Sequence, residues 1–179
     1  MGWGLRPHGP LANSFDFIGL NYYTRSLVAF DLREGREAFG RSFFRPGAEL
    51  SDAGQLGPYS EIYPQGLYLA LHKVAALGKP IIITENGLPD ADDDQRPRFL
   101  LTHLAQVHRA LQEGLPIQGY YHWSLVDNFE WAEGWGLRFG LIEMDPETQA
   151  RRIRPSGELY AEICRANGIT REMIGRFSP

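Results

Sequence analysis

The spacing of apolar residues along the chain switches between strand and helix patterns, so the sequence reads as a series of strand and helix units. Residues 16 to 24, Asp-Phe-Ile-Gly-Leu-Asn-Tyr-Tyr-Thr, are rich in aromatic and β-preferring types and predict a buried strand. From Arg25 to Tyr63 no period is sustained; seven glycine or proline residues interrupt this stretch, which reads as a long functional or mobile loop carrying at most a short strand at Leu27–Phe30. Pro64 suits a first helical turn, and Leu67, Ala70, Leu71, Val74 and Ala75 follow on one face, predicting a helix from Pro64 to Leu77 that Gly78 and Pro80 stop. Ile81, Ile82 and Ile83 then form a β-branched run typical of a strand covered on both faces. A second helix carries Leu100, Leu104, Val107 and Leu111 and ends near Gly114 and Pro116. A strand from Ile117 to Ser124, a loop rich in tryptophan and glycine, and a helix from Pro155 to Ala166 with Leu159 and Ile163 inward complete the pattern.

Strand, helix, strand, helix, strand, helix is the order of the α/β class, in which right-handed crossovers build a parallel sheet. A closed eight-unit barrel takes about 250 residues, so three units form part of one, with two strand edges and an inner apolar face left to be covered. Residues 1–179 therefore read as a single partial-barrel domain completed by another chain or by a second copy of this one in a homo-oligomer.

Composition narrows the function. With 43% hydrophobic and 22% charged residues the chain can build a core. Eighteen basic and twenty-two acidic residues, with no basic cluster, argue against a nucleic-acid partner. Cys164 is the only cysteine, which rules out an intrachain disulfide or a cysteine-built zinc site and suits a reducing, cytoplasmic setting. Met1 to Pro10 carries no leader-like pattern, and no run of about 18 apolar residues offers a membrane span. Aromatic residues reach 12%, and three of the four tryptophans, Trp123, Trp131 and Trp135, fall within thirteen residues.

Those tryptophans lie beside acids. Glu85 ends one strand and precedes Asn86-Gly87, and Glu130 follows the next strand between Phe129 and Trp131; both stand where barrel enzymes place their reacting groups. Against a functional role for Glu85 stands an ordinary Asn-Gly turn with the acid in water. Sugar rings offer apolar C–H faces to indoles while their hydroxyls need convergent polar partners, so tryptophan beside glutamate suits carbohydrate; core packing is the alternative for any one tryptophan. Tyr23 ends the first strand, and its phenol is expected either to hold Glu85 ionised or to sit at the rim of a hydrophobic layer. His72, His103, His108 and His122 lack metal-ligand spacing and read as surface or packing residues. Asp90 and Asp92 to Asp94 lack the glycine and glutamate of a calcium loop and read as a solvated acidic loop before a helix. Neither a metal nor a cofactor is expected.

Taken in order, Phe17-Ile-Gly-Leu-Asn-Tyr-Tyr-Thr24, Tyr63-Pro-Gln-Gly-Leu67, Ile83-Thr-Glu-Asn-Gly87, Trp123-Ser-Leu125, Asp127-Asn-Phe-Glu-Trp131 and Arg138-Phe-Gly-Leu141 resemble consecutive motifs of the family-one glycoside hydrolases, the β-glucosidases and their relatives. The resemblance covers Phe15 to Tyr160 and implies the carboxyl-terminal part of a (β/α)8 barrel, about strands six to eight. It implies that Glu85 is the nucleophile and Tyr23 its hydrogen-bonding partner. It further implies that Trp123 forms the floor under the sugar, Glu130 and Trp131 hold its outer hydroxyls, Phe139 lines the pocket and Trp135 borders the entrance, with Asn21 among the substrate-binding residues. The family's acid/base glutamate belongs to an Asn-Glu-Pro motif that this sequence lacks. The resemblance thus implies the nucleophile half of a retaining β-glucosidase, acting on β-glycosides only when an amino-terminal half supplies the acid. A non-catalytic, self-associating scaffold or weak sugar binder is the alternative, and an evolutionary or engineered remnant without a function of its own a third reading.

Overall fold

The computed structural model of the chain describes residues 14–33, 39–54 and 59–177; Met1–Pro10 and Trp3 lie outside them. The central feature is a three-stranded parallel sheet built from β1 (Ile18–Tyr22), β4 (Ile81–Asn86) and β5 (Ile117–His122), with β4 in the middle. Helices α1 (Pro64–Ala75) and α2 (Arg96–Gln112) are the crossovers. They bury the sheet on one face, where Ile81 and Ile83 meet Leu67 and Leu71 of α1 and Val107 and Ala110 of α2. The expected strand and helix alternation is present, with ends trimmed by a few residues. Among the described residues, β1 and β5 have no partner on their outer sides.

The opposite face is open. Strand alternation sends Ile18, Leu20 and Tyr22 toward the helices and leaves Asn21 exposed on the other side, where Thr84 Oγ1 donates to its side-chain oxygen at 2.6 Å. On β5, Tyr120 packs with the helices while Tyr121 is exposed.

Arg25 to Tyr63 corrects the expectation of an almost structureless loop. Leu27–Phe30 forms the anticipated strand, β2, but it pairs antiparallel with an unpredicted β3 (Gly40–Phe43), and Leu50 bridges Glu61. Gly40-Arg-Ser-Phe43 carries little hydrophobic periodicity, so its strand state comes from the ladder with β2 rather than from its own pattern. Two further short strands, β6 (Ile142–Met144) and β7 (Arg151–Ile153), form a hairpin before α3 (Pro155–Ala166), and α4 (Arg171–Phe177) follows; none but α3 was legible. α3 ends at Ala166 as the pattern predicts, and Asn167, in the left-handed region at φ 47°, caps it.

The acidic segment is also corrected. Asp90 and Asp93 are buried, while Asp92 and Asp94 stay exposed. Asp90 Oδ2 accepts the backbone N–H groups of Gln95 and Arg96 at 3.1 and 2.7 Å, satisfying donors that the start of α2 leaves free. Asp93 pairs with the buried Arg96 and accepts the Ser156 N–H at 2.8 Å, tying the starts of α2 and α3 together. His103 and His122 are buried packing residues, whereas His72 meets Glu113 at 2.8 Å on the surface.

Candidate active site

The candidate site forms where β1, β4 and β5 end. Simple alternation would put Glu85 on the helix side with Ile81 and Ile83. The register breaks first: Leu20 faces Ile83 but Asn21 faces Glu85, and on the other side Ile83 faces Tyr120 while Asn86 faces His122. Thr84 is the extra residue of a bulge relative to both neighbours, and a bulge re-aims the side chains after it. Glu85 thereby turns to the open face, and Asn86 takes the buried position behind it.

Asn86 fastens the three strands at this level. Its side-chain amide donates to the Tyr22 carbonyl at 2.7 Å, its side-chain oxygen accepts the Tyr120 hydroxyl at 2.8 Å, and its carbonyl accepts the Trp123 N–H at 3.0 Å. Burial pushes the Tyr120 hydroxyl far up, so it remains a donor. The following Trp123–Ser124 peptide is cis.

Tyr23, the residue after β1, donates its hydroxyl to Glu85 Oε2 at 2.7 Å. Burial first, then this bond and the negative charge of Glu85, hold the Tyr23 phenol protonated by raising its pKa. Glu130 is 7% exposed and accepts the Trp123 indole N–H at 3.1 Å. Burial raises the Glu130 carboxyl above the usual range, the Trp123 hydrogen bond opposes this, and the charge of Glu85 adds to it. Two acids, one phenol and one indole are therefore brought together at the carboxyl ends of three strands.

Phe139 is fully buried against Tyr23, with ring centroids 6.1 Å apart in an edge-to-face arrangement. Trp135 meets Phe129 edge to face at 6.1 Å, and Trp131 is 83% exposed on a single 3-10 turn. Asn21 lies on the open face of β1, with its side-chain oxygen taken by Thr84. Of the residues singled out in the sequence, Glu85, Tyr23, Trp123, Glu130 and Phe139 converge, whereas Trp135 meets Phe129 and Arg138, Trp131 is exposed and Asn21 bonds Thr84.

The loop bearing Glu130 is held by a buried ion pair. Asp127 accepts Arg154 Nη1 and Nη2 at 3.1 and 3.0 Å and the Gly140 N–H at 2.8 Å, with both charged residues almost wholly buried. No sequence pattern marks this pair, whose members lie 27 positions apart, or Tyr59, whose ring touches Tyr23 and Phe139.

The family model described as "Glycosyl hydrolase family 1" matches residues 8–169. The chain belongs to glycosyl hydrolase family 1. Among family 1 relatives it is 42% identical to a β-galactosidase of Sulfolobus acidocaldarius over 167 residues, covering 91% of this chain and 34% of that protein. It is 38% identical to β-glucosidase A of Thermotoga maritima over 170 residues, covering 89% of this chain and 36% of that protein. A β-glycosidase structure from Pyrococcus horikoshii superposes with a TM-score of 0.81 at 41% identity, over 92% of this chain and 38% of that one. A Thermotoga maritima β-glucosidase in complex with glucoimidazole gives 0.75 at 38% identity, over 86% and 35%. The sequence-based assignment to family 1 is thus correct, and the chain spans about a third of the length of these relatives.

Proposed function

We propose that residues 1–179 act as one domain, the nucleophile-bearing part of a retaining β-glycosidase, contributing about strands six to eight of a (β/α)8 barrel. The observation that carries this reading is the Tyr23–Glu85 hydrogen bond beside the Trp123–Glu130 pair. Tyr23 occupies Glu85 Oε2, and Oε1 has no hydrogen-bond partner among the described residues, which leaves its lone pair for attack on an anomeric carbon. In that step the Glu85 Oε1–C1 bond forms as the bond from C1 to the leaving oxygen breaks, and the leaving group departs with the electron pair. Trp123 supplies an apolar floor for the sugar, Glu130 and Trp131 bind its outer hydroxyls, Phe139 and Asn21 complete the pocket and Trp135 borders its entrance.

Retaining hydrolysis needs a second carboxyl group about 5 to 5.5 Å from the first, to protonate the leaving oxygen and later activate water. Glu130 is committed to the Trp123 indole and a second copy would lack the same motif, so the acid must come from an amino-terminal chain that supplies the rest of the barrel. The substrate class is a β-glycoside, either glucoside or galactoside.

A 2,4-dinitrophenyl β-glucoside tests this, because its leaving group needs no protonation. Incubated with the chain, it should place one hexosyl group on Glu85, detected by peptide mass spectrometry, and the adduct should persist because no group activates water. Labelling elsewhere, or none, rejects Glu85 as nucleophile; hydrolysis of cellobiose at ordinary enzymatic rates by the chain alone rejects the missing acid. The open edges of β1 and β5 favour a second reading, a self-associating sugar-binding scaffold, which would give sugar binding and oligomers in light scattering without any adduct.

A further inference from the structure

Tyr59 lies in the stretch between β3 and α1 where the sequence offers no periodicity, yet the backbone from Tyr59 to Glu61 is fixed by hydrogen bonds. Its carbonyl accepts Ser51 Oγ at 2.8 Å, and the Ser60 carbonyl accepts the Ser51 N–H at 2.8 Å. Glu61 N–H donates to Thr24 Oγ1 at 3.0 Å, the Thr24 hydroxyl donates to the Glu61 carbonyl at 2.9 Å, and Arg25 grips the Glu61 carboxylate with two bonds of 2.7 Å. Thr24 and Arg25 directly follow Tyr23, so the segment that carries Tyr59 is fastened to the two residues after the donor to Glu85.

The ring uses that placement. Tyr59 meets Tyr23 at 5.0 Å and 69°, and Phe139 at 5.1 Å and 85°, while Tyr23 and Phe139 meet at 6.1 Å and 82°. Each ring presents an edge to the next, the arrangement that aromatic quadrupoles favour. Tyr59 belongs to neither of the hydrophobic clusters formed by the described residues and remains partly exposed, so core burial does not account for it. Burial, with the charges of Glu130 and Glu85 behind it, raises the pKa of its hydroxyl, which keeps the ring neutral beside the two acids. A phenol on one side chain can swing about its Cα–Cβ bond; Tyr59, itself braced edge-on against Phe139, closes off the space into which the Tyr23 ring would swing.

We propose that Tyr59 is a positioning residue, which wedges the Tyr23 ring so that its hydroxyl stays on Glu85 and the nucleophile keeps one orientation. This inference rests on the reading of Glu85 as nucleophile. The rate of Glu85 labelling by 2,4-dinitrophenyl 2-deoxy-2-fluoro-β-glucoside, measured across reagent concentrations, is the first readout. Tyr59→Ala should lower the maximal labelling rate about tenfold with little change in half-saturation, Tyr59→Phe should rescue it, and Tyr59→Ala should add nothing to Tyr23→Phe. Loss in Tyr59→Phe equal to that in Tyr59→Ala, or additive losses in the double variant, overturns the proposal. Should Tyr59→Ala not fold by circular dichroism, Tyr59→Leu, which keeps bulk without the aromatic edge, takes its place with the same expectation. The second readout needs no reaction: ring-flip rates of Tyr23 in ring-labelled protein should rise in Tyr59→Ala and not in Tyr59→Phe. Absent labelling of the unsubstituted chain rejects the nucleophile, while an unchanged Tyr23 ring signal rejects the wedge.

Discussion

Gly87 lies directly against the carbonyl oxygen of Trp123, so close that a Cβ at this position would overlap it. The residue two places beyond Glu85 is thus pressed on the residue that faces Glu130, and the two acids share one backbone contact. Gly87→Ala should drive the ends of β4 and β5 apart. Overpacking of this kind costs about 1–3 kcal/mol, because the obstacle is backbone and cannot rotate away. Thermal unfolding should show that loss, and Glu85 labelling should fall further than the stability change explains.

Tyr23→Phe removes one hydrogen bond to a carboxylate without changing ring volume. Bonds to charged groups contribute about 1.5–3 kcal/mol, and about 1.4 kcal/mol corresponds to a factor of ten in rate. The rate of Glu85 labelling by an activated glycoside should therefore drop about ten- to hundredfold while the circular dichroism spectrum stays unchanged. An undiminished rate would remove Tyr23 from the site.

The frame of this site was legible because its elements carry strong local signals. The three isoleucines of β4, the Pro64 helix start and the Trp-Glu pairs each announce themselves within a few residues. What escaped depends on pairing across the chain. β3 exists through β2, Asp127 through Arg154, and Tyr59 through Thr24 and Ser51, none of which has a periodic signature. The acidic run misled for the same reason. Four aspartates in five positions read as solvated until Arg96 and the exposed N–H groups of two helix starts supply partners for Asp90 and Asp93. Composition counts charges but does not pair them.

Arg154→Met tests the buried pair beneath the Glu130 loop. Removing one partner leaves Asp127 charged and buried, which typically costs about 3–5 kcal/mol. Replacing both, as Arg154→Met with Asp127→Leu, should recover part of that loss, although the Gly140 and Met144 N–H groups then lose their acceptor. Urea denaturation of the two single variants and the double variant gives the coupling directly; equal and additive losses would show that the pair does not act as a unit.

Acid should loosen this fold through two histidines before its surface carboxylates matter. Burial lowers His103 from 6.5 to about 4, against a weaker opposing hydrogen bond to the Phe99 carbonyl. Burial first, and then the positive charge of Arg96, lower His122 from 6.5 to about 3. Both are neutral in the folded chain. Below the unfolded value near 6.5 the unfolded chain binds protons that the folded chain refuses, so stability falls as pH falls, through each folded value in turn. The contribution is complete above about pH 6.5 and amounts to roughly 3 kcal/mol for His103 and roughly 5 kcal/mol for His122, in order of magnitude. His103 stacks on Phe99 at a centroid distance of 3.8 Å, and His103→Leu would keep an apolar neighbour there without the proton site. Urea midpoints measured between pH 7 and 4 should therefore decline less steeply in His103→Leu than in the unsubstituted chain, even if the variant starts lower at pH 7. Parallel declines would mean that His103 is protonated in the folded chain, and the buried neutral ring would have to be given up.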